Sequence, residues 1–319
     1  MIHWMAPIDG KRMIAESMEK RRALAVGVDL GGTKIASGLF DASGNLHGEL
    51  SSIPTEASGP KEKTVQNIFK AIDQALRHSE GTRDGIAGIG VGSTGPLDPK
   101  SGKILEADNL PELHNFNLRE ALEARYGTPV LMTNDGNAFA LAEALHGAGK
   151  GCGIVVGVTL GTGCGCGVIL HGKILEGATA NTGEVYRAPV REMSFDEALS
   201  GRGLERIYLK KTREPRSGKE ISRLADCGDI PAIESFLEFG QVVGEGLGIL
   251  ASVIDPHVMV LGGSVSQSFR FFSRTLRQGL TRHVAPQVGS TLQVLPAKLG
   301  ALAGALGAGA LVFSGETLR

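Results

Sequence analysis

The sequence predicts an α/β protein in which one strand-turn-strand plan is used twice. Residues 24–40 and 153–170 each read as a buried strand, a turn rich in glycine and threonine, and a returning strand. The copies lie about 130 residues apart, which suggests duplication. Between and after them, helical patterns alternate with short apolar strands, as in layered α/β domains.

Taken in order, residues 24–30, 35–40 and 46–53 read as three consecutive strands, with a turn at 41–45 between the second and third. The first strand runs through Val26 and Val28 into Asp29, then turns through Gly31, Gly32, Thr33 and Lys34. Backbone N–H groups of such a turn can face a phosphate, and the acid at the strand end suits a metal or a transferred phosphoryl group. An ordinary hairpin accounts for the same residues. Val65, Ile68, Phe69, Ile72 and Leu76 space an amphipathic helix over 63–78. A fourth strand at 86–91 ends in Gly92-Ser93-Thr94-Gly95-Pro96.

A helix is expected at 118–126, ended by Gly127-Thr128-Pro129, then a short buried strand at 130–133. Asn134-Asp135-Gly136-Asn137 follows at once, and 138–146 is alanine-rich and helical. Asp135 thus sits where a strand hands over to a helix, and ligands of open α/β sheets bind beyond the carboxyl ends of strands. The second hairpin has strands at 153–160 and 164–170 around Gly161-Thr162-Gly163, with 173–175 beyond. Helices are expected at 199–211, 220–225 and 232–252, and a strand at 258–261 runs into Gly262-Gly263-Ser264. A glycine-containing helix at about 301–313 closes the reading.

At 319 residues, the chain suits two domains, and 42% apolar content can build a sizeable core. A net charge of -1 argues against a general nucleic-acid binder. Residues 1–22 mix Lys, Arg, Met and Glu without the apolar run of a signal peptide or membrane span. They read as a helical or disordered arm, or as a start placed too early. Cys152, Cys164, Cys166 and Cys227 form no Cys-x-x-Cys pair and read as small reduced core residues of a cytoplasmic protein.

Five motifs fall in one line: Asp-x-Gly-Gly-Thr-Lys at 29–34, Asn-Leu-Pro at 109–111, Asn-Asp-x-Asn-Ala at 134–138, Gly-Thr-Gly-x-Gly-x-Gly at 161–167 and Gly-Gly-Ser at 262–264. In this order they resemble the ROK family of sugar kinases and related repressors, over nearly the whole chain from Ala23. The resemblance implies the actin-like ATPase (ribonuclease H-like) fold, two duplicated domains around a central cleft. It implies an arm at 1–22, a small domain at 23–117 joined by the C-terminal helix at about 301–319, and a large domain at 118–300.

The same resemblance implies ATP and Mg²⁺. Gly31, Gly32, Thr33 and Lys34 resemble the first phosphate motif, Gly161, Thr162 and Gly163 the second, and Gly262 and Gly263 the adenosine motif, with Asp29 close to Mg²⁺. Asp135 takes the place of the catalytic base. A sugar hydroxyl is a poor nucleophile, and a carboxylate within reach takes its proton. An N-terminal position on the following helix explains an acid there equally well and excludes nothing. Asn109, Asn134 and Glu184 match sugar-binding positions, and Gly95 lies in the family's Pro-Gly loop.

The chain also departs from the family pattern. After Gly183-Glu184 the family reads x-Gly-His, its histidine touching sugar and zinc, and here Arg187 stands in that place. The cysteine-rich zinc loop should follow, yet residues 191–203 hold no cysteine, so no structural zinc is expected. By spacing to Ser200, Asp196 takes the place of a further sugar-binding glutamate, with Glu197 the close alternative.

The expected activity is ATP-dependent phosphorylation of a hexose, glucose at its 6-hydroxyl first, with an N-acetylhexosamine or fructose as other acceptors and polyphosphate as another donor. Family members are usually homodimers or homotetramers. A ROK repressor would need a helix-turn-helix ahead of the first strand, and 22 residues are too short for one. A sugar-binding pseudokinase would have no use for Asp135 and two phosphate hairpins.

Overall fold

In the computed structural model, the described residues are 23–79 and 85–314. The arm expected over 1–22, and residues 315–319 of the expected C-terminal helix, lie outside them.

The first half opens with β1 (Leu24–Leu30), β2 (Lys34–Asp41) and β3 (Leu46–Pro54), an antiparallel meander. Helix α1 (Lys61–Leu76) lays Ile68, Ala71, Ile72 and Ala75 against it, a stripe at helical spacing. Strand β4 (Ile86–Ser93) then pairs parallel with β1. A small hairpin follows, β5 (Leu97–Asp98) with β6 (Lys103–Ile104). Helix α2 (Leu118–Tyr126) is capped by the Asn117 side chain at Glu120 N–H and stopped by Gly127 at φ 61°. Strand β7 (Val130–Asn134) completes a sheet of order β3-β2-β1-β4-β7.

The second half repeats the plan after helix α3 (Asp135–Leu145). Its strands are β8 (Ile154–Leu160), β9 (Cys164–Leu170) and β10 (Lys173–Ile174). A small hairpin, β11 (Pro189–Val190) with β12 (Met193–Ser194), leads to helices α4 (Phe195–Ala198), α5 (Gly201–Thr212), α6 (Gly218–Asp226) and α7 (Ile230–Ile254). Then come β13 (Val258–Gly262), α8 (Phe269–Thr281), α9 (Pro286–Thr291), β14 (Gln293–Pro296) and α10 (Ala303–Ser314). The second sheet has order β10-β9-β8-β13-β14. Each sheet is therefore three antiparallel strands followed by two parallel ones. The duplication visible in two turns extends to the topology of both halves.

Because β7 belongs to the first sheet, the chain crosses between halves at Asn134–Asp135. The chain crosses back between β14 and α10, which packs on β1 and β4. Helix α3 packs on β8 and β9, and α3 and α10 face each other between the sheets. Their contact is close enough to require glycine: a Cβ on Gly307 would lie 1.7 Å from the Ala138 carbonyl oxygen.

Helix α7 is long and apolar enough to cross a membrane by length and composition. Its Phe236, Phe239, Val243 and Leu247 are fully buried in the second half's core. There, Phe239 meets Phe272 of α8 edge-on at 5.6 Å between ring centres. These contacts make it a core helix.

Candidate active site

The first glycine turn is short because β1 and β2 stay in register to its base, Leu30 opposite Ile35. Gly31 N–H closes it on the Lys34 carbonyl at 3.1 Å, leaving Thr33 and Lys34 exposed. Thr55, with no exposed surface, braces the turn from behind. Its N–H donates to Thr33 O at 3.0 Å and its hydroxyl to Gly31 O at 2.6 Å. Sequence reasoning missed Thr55, since nothing local marks a threonine after β3 as a brace.

Asp29 ends β1 half-buried, and burial raises its carboxyl above the ordinary value, with nearby Lys34 acting in the other direction. Its carboxylate packs on α10, where a Cβ on Gly304 would lie 2.4 Å from Asp29 Oδ2. Asn109 backs the same turn. A Cβ on Gly32 would meet its carbonyl oxygen at 2.8 Å, and its amide donates to Thr94 Oγ1 at 3.2 Å. Gly95 follows Thr94 and enters the loop through a cis bond to Pro96.

The second turn repeats the first. Leu160 stands opposite Cys164, and Gly161 N–H donates to Gly163 O at 2.9 Å. Thr162 is exposed at the tip. Gly262 ends β13 against the Phe139 ring, and Gly263, at φ 84°, turns the chain beside Leu160. Next to these turns lies a cavity of about 400 Å³, lined by Thr162, Arg202, Lys219, Ser264 and Gln267 among others. That volume suits a small-molecule ligand. Cys164 and Cys166 point into the core from β9, and burial pushes the Cys166 thiol up to about 12.

Asp135 is the first residue of α3, at the crossing between the halves. Its side chain is open to solvent, yet protein crowds it on all other sides. This desolvation pushes its carboxyl up to about 6, with the negative charges of Asp29 and Glu184 adding to the effect. The Gly136 N–H donates to its Oδ1 at 2.8 Å. Asn134 caps α3 through its side-chain oxygen at Asn137 N–H (2.6 Å), and its amide donates to Glu184 Oε1 at 2.6 Å. Asn134 and Glu184 line one small pocket with Pro96, Thr133, Glu176 and Asn181. Burial raises the Glu184 carboxyl, and the Asn134 amide offsets part of that.

Asp196, Glu197 and Arg187, the other expected sugar contacts, each have protein partners in this structure. Asp196 Oδ1 accepts the Cys164 N–H at 2.8 Å, and Oδ2 pairs with Arg202, so this carboxylate serves the second turn. Glu197 closes a capping box on Ser194, with N–H and hydroxyl at 3.0 and 2.9 Å from its Oε2. Arg187 is exposed with its guanidinium 5.3 Å from the centre of the Tyr186 ring. The cysteine-free stretch after it is held by other means. Arg191 makes a two-pronged ion pair with Glu245 of α7 at 2.6 and 2.5 Å, and Phe195 is fully buried.

A profile of the ROK family matches residues 25–314. The chain belongs to the ROK family. Among its relatives, the glucokinase of Streptomyces coelicolor is 32% identical over 315 residues, covering 89% of this chain and 96% of that one. An N-acetyl-D-glucosamine kinase of Photobacterium profundum is 29% identical, covering 88% and 97%. The solved structure of a ROK family glucokinase from Streptomyces griseus, in complex with glucose and AMPPNP, superposes with a TM-score of 0.78 at 32% identity, covering 92% of this chain and all of that one. A ROK hexokinase from Thermus thermophilus superposes at 0.77 with 34% identity, covering 90% and 97%. These ROK sugar kinases have the actin-like ATPase fold, so the two matched sheets are the duplicated halves of that fold.

Proposed function

We propose that the protein is a hexose kinase that transfers the γ-phosphoryl group of ATP to a sugar hydroxyl, with glucose at its 6-hydroxyl as the favoured acceptor. The observation that carries the reading is Asp135, a carboxylate with a raised pKa at the crossing between two halves that each carry a glycine hairpin. The glucokinase names of several relatives support the choice of sugar.

The chemistry asks little of the protein beyond positioning, proton removal and charge neutralisation. The acceptor oxygen attacks the γ-phosphorus, its bond to the bridging oxygen of ADP breaks, and the hydroxyl proton passes to Asp135. Ionised above pH 6, Asp135 is a base poised near working pH. Asn134, Asn109 and Glu184 offer amides and a carboxylate to hold the other hydroxyls. The turns at Gly31–Lys34 and Gly161–Gly163 receive phosphates on their backbone N–H groups, and the cavity beside Ser264 takes the nucleoside. Mg²⁺ fits beside Asp29, a single hard oxygen donor close to the first turn, since this ion binds one or two carboxylates together with phosphate oxygens and water. When bound it neutralises phosphate charge.

The test is a coupled ADP-release assay with ATP against glucose, fructose, mannose and N-acetylated hexosamines. Glucose is expected to give the highest kcat/KM. ADP release with none of these sugars, while sugar binding persists, overturns the kinase reading.

A further inference from the structure

We infer that Asp196 is a positioning residue for the nucleotide end of the cleft, setting the second glycine turn and Arg202 for the phosphates, and does not bind the acceptor sugar. The inference rests on the reading that this cavity takes a nucleotide.

Each carboxylate oxygen has a partner at the nucleotide end. Oδ1 accepts the Cys164 N–H at 2.8 Å, and the space beside Gly163 is filled by that same oxygen, since a Cβ there would lie 2.4 Å from it. Oδ2 pairs with Arg202, which lines the 400 Å³ cavity together with Gly161 and Thr162. A second bond runs alongside: Gly201 N–H donates to Gly161 O at 2.8 Å. The segment from Asp196 in α4 to Gly201 at the start of α5 is thus tied to the turn at both ends, by Asp196 at Cys164 and by backbone at Gly161.

Charge favours the same role. A lone carboxylate beside a phosphate turn would repel the ligand. Paired with Arg202 it is neutralised, and a guanidinium has five N–H donors, so Arg202 retains donors for a phosphate oxygen. Holding Arg202 in place beforehand removes ordering cost from nucleotide binding. The brace is the counterpart of Thr55 behind the first turn, so each phosphate turn has a side chain bonded to its backbone from outside.

The experiment compares the full chain with Asp196→Asn and Gly163→Ala, titrating AMPPNP and glucose separately by calorimetry. Asparagine keeps an acceptor for Cys164 but releases Arg202, and the alanine Cβ pushes the carboxylate away from the other side. Both variants are expected to weaken AMPPNP binding about tenfold, with glucose affinity within about twofold of the parent. In turnover, the KM for ATP should rise more than kcat falls. If Asp196→Asn does not fold, Arg202→Gln carries the test, since it removes the guanidinium that Asp196 holds and leaves the turn's own residues unchanged. Weakened glucose binding with unchanged AMPPNP binding makes Asp196 a sugar ligand and overturns the inference, as does no change in either. A parent chain that turns over hexose while the variants bind AMPPNP normally sinks this inference alone. A parent chain that binds no AMPPNP sinks the nucleotide reading with it.

Discussion

The side-chain amide of Asn134 donates to Glu184 Oε1 at 2.6 Å while its oxygen caps α3 at the Asn137 N–H. One residue therefore both starts the helix that carries Asp135 and aims a carboxylate from the other half of the chain. Two substitutions separate these tasks. Asn134→Ser keeps a good cap and loses the reach to Glu184. Its unfolding free energy should stay within about 0.5 kcal/mol of the parent while the KM for sugar rises about tenfold, the size expected for a lost hydrogen bond to a charged group. Asn134→Ala should show the same KM and lose a further ~1 kcal/mol of stability with the cap. An unchanged sugar KM in the serine variant would show that the Glu184 bond has no part in recognition.

The pH dependence of kcat/KM reports the ionisation of Asp135 in the free enzyme. Its carboxyl is pushed up to about 6 by the protein that crowds it beside the solvent opening, then by the charges of Asp29 and Glu184. As the base, it works only when ionised. The rate constant should be level above pH 7 and fall tenfold per pH unit well below pH 6. Asp135→Asn should lower kcat by a factor of about 10² to 10⁴, the usual contribution of a general base, with sugar affinity little changed. A profile level down to pH 4.5 would remove Asp135 from this role.

The same shift makes a prediction about stability with the opposite sign to the activity. Asp135 is harder to ionise in the folded chain than in the unfolded one, where its carboxyl sits near 3.8. Ionisation thus destabilises the fold, fully above pH 6 and not at all below the unfolded value. Asp135→Asn, which cannot ionise, should have a higher Tm than the parent at pH 7.5, and the gap should close as pH falls toward 4. Thermal melts at the two pH values check this. It is the trade expected where a functional site holds an unfavourable charge.

Much of the fold was legible because local pattern and tertiary role agree. Strand β1 was expected at 24–30 and α2 at 118–126, and both form there, bounded by the Asp29 and Gly31 turn residues and by Asn117 and Gly127. The hand-over at Asn134–Asp135 was visible because a β-strand ending in Asn-Asp meets an alanine-rich helix. Helix α8 was missed, although Phe269, Phe272, Leu276 and Leu280 repeat at helical spacing. Strand β14 was hidden for a better reason: it has four residues, none fully buried, and is a strand only because β13 offers its edge in parallel. In the site, spacing to Ser200 could rank Asp196 and Glu197 but not orient them. The pattern Ser194-x-x-Glu197 was a visible capping box, whereas the Asp196 bond to Cys164 spans 32 residues and exists only after folding.

Glu143 is the residue whose tertiary work was least visible and whose substitution should cost most. It is the one acid in the apolar stretch from Ala138 to Leu145 of α3, and it has no exposed surface. Burying a carboxylate is unfavourable unless its oxygens are satisfied, and here three backbone N–H groups do so. Oε1 accepts from Lys298 and Leu299 at 2.9 Å each, and Oε2 from Ala148 at 2.7 Å. Lys298 and Leu299 lie on the return crossing from β14 to α10, so the helix that begins at one crossing holds the other. Glu143→Gln preserves shape but turns one acceptor oxygen into an N–H donor facing another donor. It should lower stability by about 1.5–3 kcal/mol, the scale of hydrogen bonds to a charged group. Glu143→Ala strands all three N–H groups and should cost more. Urea unfolding reads both: the midpoint should drop with an unchanged m-value. A glutamine variant with the parent's midpoint would show that the carboxylate charge is not what holds the crossing.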